Sequence, residues 1–216
     1  MLSTLERSPL KNVLADLYGR AGAQRATGAP RVQLAESASA QERADAASDR
    51  YMPVSTTTGR LLYSLIRATK PDTIVEFGMS YGISTLHLAA GVRDNGSGRI
   101  YTTELSAKKV AAVSETLATA GVDDIVTILE GDALETLPAV SGEIGLVLLD
   151  GWKEMYLPVL VSIEERLATG ALIVADNANQ PGTAPYLEYV RDPANGYVSI
   201  NFPDKEHDST EVSCRV

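Results

Sequence analysis

The feature that most constrains this chain is the pattern that begins after residue 72. Five short apolar runs, "TIVEFG", "RIYTTEL", "IVTILEGD", "IGLVLLD" and "ALIVADN", are interleaved with helix-like segments such as "SYGISTLHLAAGV" and "SAKKVAAVSETLATAG". A strand with one wet face alternates apolar and polar residues, whereas near-continuous apolar runs separated by helices mark parallel strands covered on both faces. Two later runs, "GYVSINFP" and "STEVSCRV", follow each other with no helix between them and read as an antiparallel pair at the end of the sheet. The expectation is an α/β fold: a mostly parallel seven-stranded sheet with a C-terminal antiparallel strand pair and helices on both faces.

The segment upstream is different in kind. Leu5, Leu10, Val13, Leu14 and Leu17 fall at roughly helical spacing, with Ser8-Pro9 read as a cap followed by proline at the first helical position. "TTTGRLLYSLIRAT" predicts a helix over Thr56–Thr69 with Leu61, Leu62, Leu65 and Ile66 on one face. Residues 20–50 are rich in Ala, Ser, Gln and Arg and poor in large apolar groups, which suits a weakly packed or mobile cover and not a second domain. With 216 residues, the expected organisation is one domain over 1–216, a helical cover at 1–50 on a core at 51–216.

Composition narrows the partners. A net charge of -9 and a pI of about 4.8 repel phosphate backbones, so neither nucleic acid nor an anionic membrane is expected. Cys214 is the sole cysteine and lies in an alternating run, as a strand residue would. With no apolar signal-like region and no long apolar run, the expected location is the cytoplasm.

Chemistry-bearing residues gather at the carboxyl ends of the strand-like runs, where open parallel sheets bind ligands. "VEFGMSYGIST" is a strand, a glycine turn and a helix start; its G-x-x-x-G spacing is not the G-x-G-x-x-G of dinucleotide folds. Glu104 ends the second run, where a carboxylate can accept from both hydroxyls of a ribose, and Asp132 follows the third. Asp150 ends the fourth run and Asp176-Asn177 the fifth. On adjacent parallel strands these three form a hard-oxygen set suited to Mg²⁺, unless the two aspartates cap the helices that follow them. Lys153 is either a base beside that set or a solvated lysine paired with Glu154 or Glu164. His87, on the helix after the glycine turn, reads as a packing or surface residue, and no G-x-S-x-G nucleophile elbow is present.

Taken together, "VEFGMSYGIST", Glu104, "DGWKEMYLP", "ADNANQPG" and the upstream "YMPVSTTTG" resemble the class I S-adenosylmethionine-dependent O-methyltransferases, in particular the cation-dependent catechol O-methyltransferase family. The resemblance covers roughly residues 50–190 and implies a Rossmann-like class I methyltransferase fold. It implies that Glu76, Gly78, Ser80, Tyr81, Gly82 and Ser84, with Met52 and Val54, surround the methionine portion of the cofactor. Glu104 would hold the ribose; Asp132, Ala133 and Trp152 would lie at the adenine, with Leu105 and Asp150 also on the cofactor side. Asp150, Asp176 and Asn177 would ligate Mg²⁺ or another divalent cation, and Lys153 would be the general base acting on a small phenolic substrate. The family's late glutamate has no direct counterpart: Phe202 takes its place, and Glu206 lies four residues on. His207 in the same late loop is a further candidate for contact with substrate. A homodimer is the family-level expectation, with the N-terminal helix as its contact. A nicotinamide-dependent oxidoreductase and a non-catalytic nucleoside-binding module are the alternatives.

Overall fold

A computed structural model describes residues 2–28, 35, 37–205 and 208–216. The strands are β1 (Thr73–Phe77), β2 (Arg99–Glu104), β3 (Val126–Glu130), β4 (Ile144–Leu149), β5 (Leu167–Ala175), β6 (Tyr197–Lys205) and β7 (Asp208–Arg215). They form one seven-stranded sheet in the order β3-β2-β1-β4-β5-β7-β6, in which β1 to β5 pair in parallel and β7 pairs antiparallel with both β5 and β6. The reversal at β1, with β2 on one side and β4 on the other, opens a crevice at the carboxyl ends of these strands.

Strand alternation assigns two cores to the two faces. Ile74, Leu146, Leu148 and Val174 pack towards α1 (Leu10–Ala26), α3 (Thr56–Thr69), α4 (Ile83–Asn95) and α5 (Ala107–Ala120). Val75, Val147, Leu149 and Ile173 pack on the other face, among α6 (Ala133–Thr136), α7 (Tyr156–Ile163) and α8 (Ala184–Arg191). The predicted helix at Thr56–Thr69 is present, with Ser55 accepting from the Thr58 amide as its N-cap.

Two local expectations are corrected. Pro9 is the N-cap of α1, not its first helical residue, and no side chain caps that end. β5 starts at Leu167, ahead of the "ALIVADN" run, because Leu167 pairs with Ile144 before the register shifts and the ladder resumes at Leu146–Leu172. In the segment expected as a cover, α1 continues to Ala26 and a short α2 (Ala40–Ala46) follows, closed at its start by a capping box between Ser39 and Glu42. Cys214 lies on β7 opposite Leu172. No helix among the described residues is long and apolar enough to cross a membrane.

Candidate active site

Each loop at the crevice is held by a backbone bond that extends the ladder past the strand end. Asp150 N donates to Phe77 O at 2.8 Å, Asp176 N to Leu149 O at 3.0 Å, Met79 N to Thr103 O at 3.0 Å and Gly131 N to Glu104 O at 2.9 Å. These bonds line up the ends of β1 to β5 around a cavity of about 640 Å³. At Gly78, φ is +97° and a Cβ would stand 2.6 Å from the Gly151 backbone nitrogen, so the β1 and β4 turns touch only because this residue is glycine.

The cavity wall contains Met52, Gly78, Ser80, Glu104, Leu105, Asp132, Ala133, Asp150, Trp152, Lys153, Asp176 and Asn177. A small recess beside it is lined by Met52, Val54, Ser80, Tyr81 and Ser84, which brings the upstream segment against the glycine turn. Two expected contacts, Glu76 and Gly82, line neither the cavity nor the recess. Glu76 is fully buried beneath the sheet face, where its Oε2 accepts from Thr85 at 2.6 Å and Thr102 at 2.5 Å, and burial raises its pKa. Gly82 begins α4 at φ +79° and faces Val113 on α5. Their strand and helix-start positions put both in the motif, but both are buried and stand clear of the ligand-facing wall.

Glu104 is anchored at both oxygens: Oε2 accepts from the Ser80 amide and Oε1 from the Ser106 amide, each at 2.9 Å. Asp132 serves two purposes, standing in the wall and capping α6 through the Leu134 amide at 2.8 Å. Asp150 and Asp176 are not helix caps; Trp152, Met155 and Gln180 occupy the cap positions in these loops. Instead the pairing of Leu149 with Ala175 sets the two carboxylates side by side, with Asn177 next to them. Asn177 adopts φ +57°, a left-handed conformation that asparagine tolerates, and its Nδ2 donates to Asp208 at 2.8 Å, which leaves the amide oxygen as the atom available to a cation. Among the described residues no three His, Cys, Asp or Glu side chains converge as a metal site; the oxygen groups that line the cavity here are two carboxylates and an amide. That composition fits a hard cation such as Mg²⁺.

Lys153 is not paired with Glu154 or Glu164. Its Nζ donates to Tyr156 Oη at 2.6 Å and to Asp150 Oδ1 at 3.2 Å, while Tyr156 Oη donates to the Asp176 carbonyl at 2.8 Å. Burial first, then the charges of Asp150 and Asp176, raise the Tyr156 pKa well above its ordinary value, so it remains a neutral hydroxyl. Tyr156, the partner of Lys153 Nζ, is a site residue that sequence reasoning missed, although it stands in the quoted "DGWKEMYLP"; its spacing of three from Lys153 was the available signal.

The cover closes over this arrangement. Ala40, Ala44 and Ala47 face the cavity; the Arg43 guanidinium lies 5.0 Å from the Trp152 ring and pairs with Glu154. Phe202 lies on β6 opposite Thr210, half exposed and outside the cavity wall, while Glu206 and His207 fall outside the described residues.

Residues 75–178 match the family model described as a methyltransferase domain. The chain is 32% identical to catechol O-methyltransferase B of Danio rerio over 158 residues, covering 70% of this chain and 59% of that protein. It is 34% identical to a catechol O-methyltransferase of Mycobacterium tuberculosis over 149 residues, covering 67% of this chain and 66% of that protein. The chain thus spans somewhat under two thirds of the length of these relatives. An O-methyltransferase of Bacillus cereus, solved in complex with SAH, superposes with a TM-score of 0.71 at 19% identity, covering 95% of this chain and 91% of that one, which establishes the shared fold.

Proposed function

We propose that this chain, which belongs to the methyltransferase-domain family and is homologous to catechol O-methyltransferases, transfers a methyl group from S-adenosylmethionine to a hydroxyl of a small catechol-like or other phenolic acceptor, with Mg²⁺ or a similar cation. The observation that supports the reading is that Asp150, Lys153, Asp176 and Asn177 line one cavity together with Glu104, with the glycine turn directly beside Asp150. The relatives' names supply the acceptor class, and the SAH bound to the Bacillus cereus protein supports the donor.

S-adenosylmethionine, when bound, supplies a methyl group already activated as a sulfonium. A divalent cation, when bound by Asp150, Asp176 and the Asn177 amide oxygen, supplies the positive charge that favours the phenolate form of the acceptor. The chain's own residues do the rest. Lys153 Nζ, held by Tyr156, takes the acceptor proton; Tyr156 fixes where that nitrogen sits, and its link to the Asp176 carbonyl couples it to the oxygen cluster. Glu104 would hold the ribose, Asp132, Ala133 and Trp152 the adenine, and Met52, Val54, Ser80, Tyr81 and Ser84 the methionine portion, with Leu105 in the same wall. With the cover in place, donor and acceptor meet in a confined space, and such alignment is worth about 7–11 kcal/mol of barrier at best.

Methyl transfer to a panel of catechols, with and without EDTA, tests the reading. EDTA should abolish turnover and added Mg²⁺ restore it, while Lys153→Met should lower kcat by about 10²–10⁴-fold with SAH affinity retained. Full activity in EDTA would remove the metal from the reading, and an undiminished Lys153→Met rate would remove the base.

A further inference from the structure

Lys109 carries no role in the reading above, yet it is one of the most deeply buried charged residues of the chain, only 2% exposed. It stands in the first turn of α5, where its own amide caps onto Ser106 Oγ at 3.4 Å, and its side chain runs back to the cavity wall. There Nζ lies 3.3 Å from Ser80 Oγ and 5.6 Å from the centroid of the Tyr81 ring. The charged groups acting on it are Glu104 and Arg50; burial lowers its pKa most, Glu104 raises it, and Arg50 lowers it.

An ammonium group has three donors and no acceptor, and burying one is costly unless oxygens receive those donors. The Ser80 hydroxyl, at a long distance, accounts for one. Ser80 itself is held at φ +49°, and its amide donates to Glu104, so hydroxyl, carboxylate and ammonium converge on one stretch of wall. Glu104 offers acceptors only. A vicinal diol has both hydrogens to donate and lone pairs to fill, and a carboxylate alone serves the first need but not the second.

We infer that Lys109 binds the cofactor directly: Glu104 accepts from the ribose hydroxyls, and Lys109 Nζ donates to one of the same hydroxyl oxygens. The inference rests on the methyltransferase reading and extends it to a residue on α5. Together the two side chains recognise both the donor and the acceptor character of the diol, and a ribose lacking the hydroxyl read by Lys109 leaves the ammonium short of a partner.

Calorimetric titration with S-adenosylhomocysteine and its 2′-deoxy and 3′-deoxy counterparts tests this. Lys109→Met should bind S-adenosylhomocysteine about tenfold more weakly than the wild type, the range expected for a hydrogen bond from a charged donor. For one of the two deoxy compounds, the affinity penalty should shrink by about the same factor, because the variant has already lost that contact. Lys109→Gln, which keeps a shorter polar head, provides the same comparison if the methionine variant fails to fold. Unchanged affinity in a folded variant, or a uniform loss with both deoxy penalties at wild-type size, would overturn the inference and leave Lys109 as a brace for Ser80. A wild-type protein that does not bind S-adenosylhomocysteine would refute the underlying reading instead.

Discussion

His87 shows what a single buried side chain does to this protein at the residue scale. It lies on α4 with its Nε2 3.2 Å from the Tyr18 hydroxyl, and desolvation, followed by the Arg60 charge, lowers its pKa to about 4 from 6.5. The folded state therefore resists a proton that the unfolded chain accepts, so stability falls as pH drops from about 6.5 towards about 4. Between pH 7.5 and 5.0 the wild type should lose about 2 kcal/mol more unfolding free energy than His87→Gln, measured by urea denaturation. The comparison cancels Glu76, whose raised pKa contributes with the opposite sign. An equal loss in the two proteins would show that His87 does not titrate in this way. Residue types at strand ends made Asp150, Lys153 and Glu104 legible as candidates. Tyr156 and Lys109 were not, because each acts from a helix and its direction depends on packing that no local pattern reports. Glu76 was legible as part of a motif, but its depth beneath the sheet was not.

At the scale of elements, α3 and α4 pack in close contact. A Cβ at Gly91 would fall 2.6 Å from Ile66 Cγ2 and 2.8 Å from Ile66 Cβ, with Tyr63 O at 3.4 Å, so the two helices approach over a missing methyl group. Gly91→Ala should lower stability by about 1–3 kcal/mol through overpacking. Gly19, exposed on α1, has nothing within 4 Å of its would-be Cβ, and Gly19→Ala should raise stability by about 0.5–1 kcal/mol through reduced backbone entropy in the unfolded chain. Thermal melts of both variants read the opposite signs directly; a neutral Gly91→Ala would mean that α4 can slide without loss. The strands were legible because burial on both faces leaves continuous apolar runs such as "IGLVLLD", and α3 because Leu61, Leu62, Leu65 and Ile66 recur at helical spacing. The start of β5 was not: it is set by the pairing of Leu167 with Ile144 on β4, ahead of the register shift, and not by an apolar run.

At the scale of the whole molecule, the cavity is shared between the core and the cover. α2 buries little beyond Ala44, and it is tied down by contacts that are weak one at a time: the Arg43–Glu154 and Lys108–Asp49 ion pairs, Gln41 to the Leu105 carbonyl at 3.3 Å, and Tyr81 Oη to the Ser48 carbonyl at 2.8 Å. Partly exposed ion pairs contribute about 0–1 kcal/mol each, so the cover should open locally at a small fraction of the cost of global unfolding. A ligand seated between Trp152, Leu105 and the alanines of α2 contacts both parts and favours the closed arrangement. At a hundredfold excess over its Kd, such a ligand stabilises the folded state by about 2.7 kcal/mol, a rise in Tm of about 5–11 °C for a chain of this size. Hydrogen exchange then locates the effect. With S-adenosylhomocysteine bound, amides of residues 40–51 should slow along with those of the glycine turn at 78–82, and Arg43→Ala should reduce the protection of α2 while leaving that of the turn. If the turn alone slows in the wild type, the cover takes no part in holding the ligand, and closure over the crevice is a property of the fold without a role in binding.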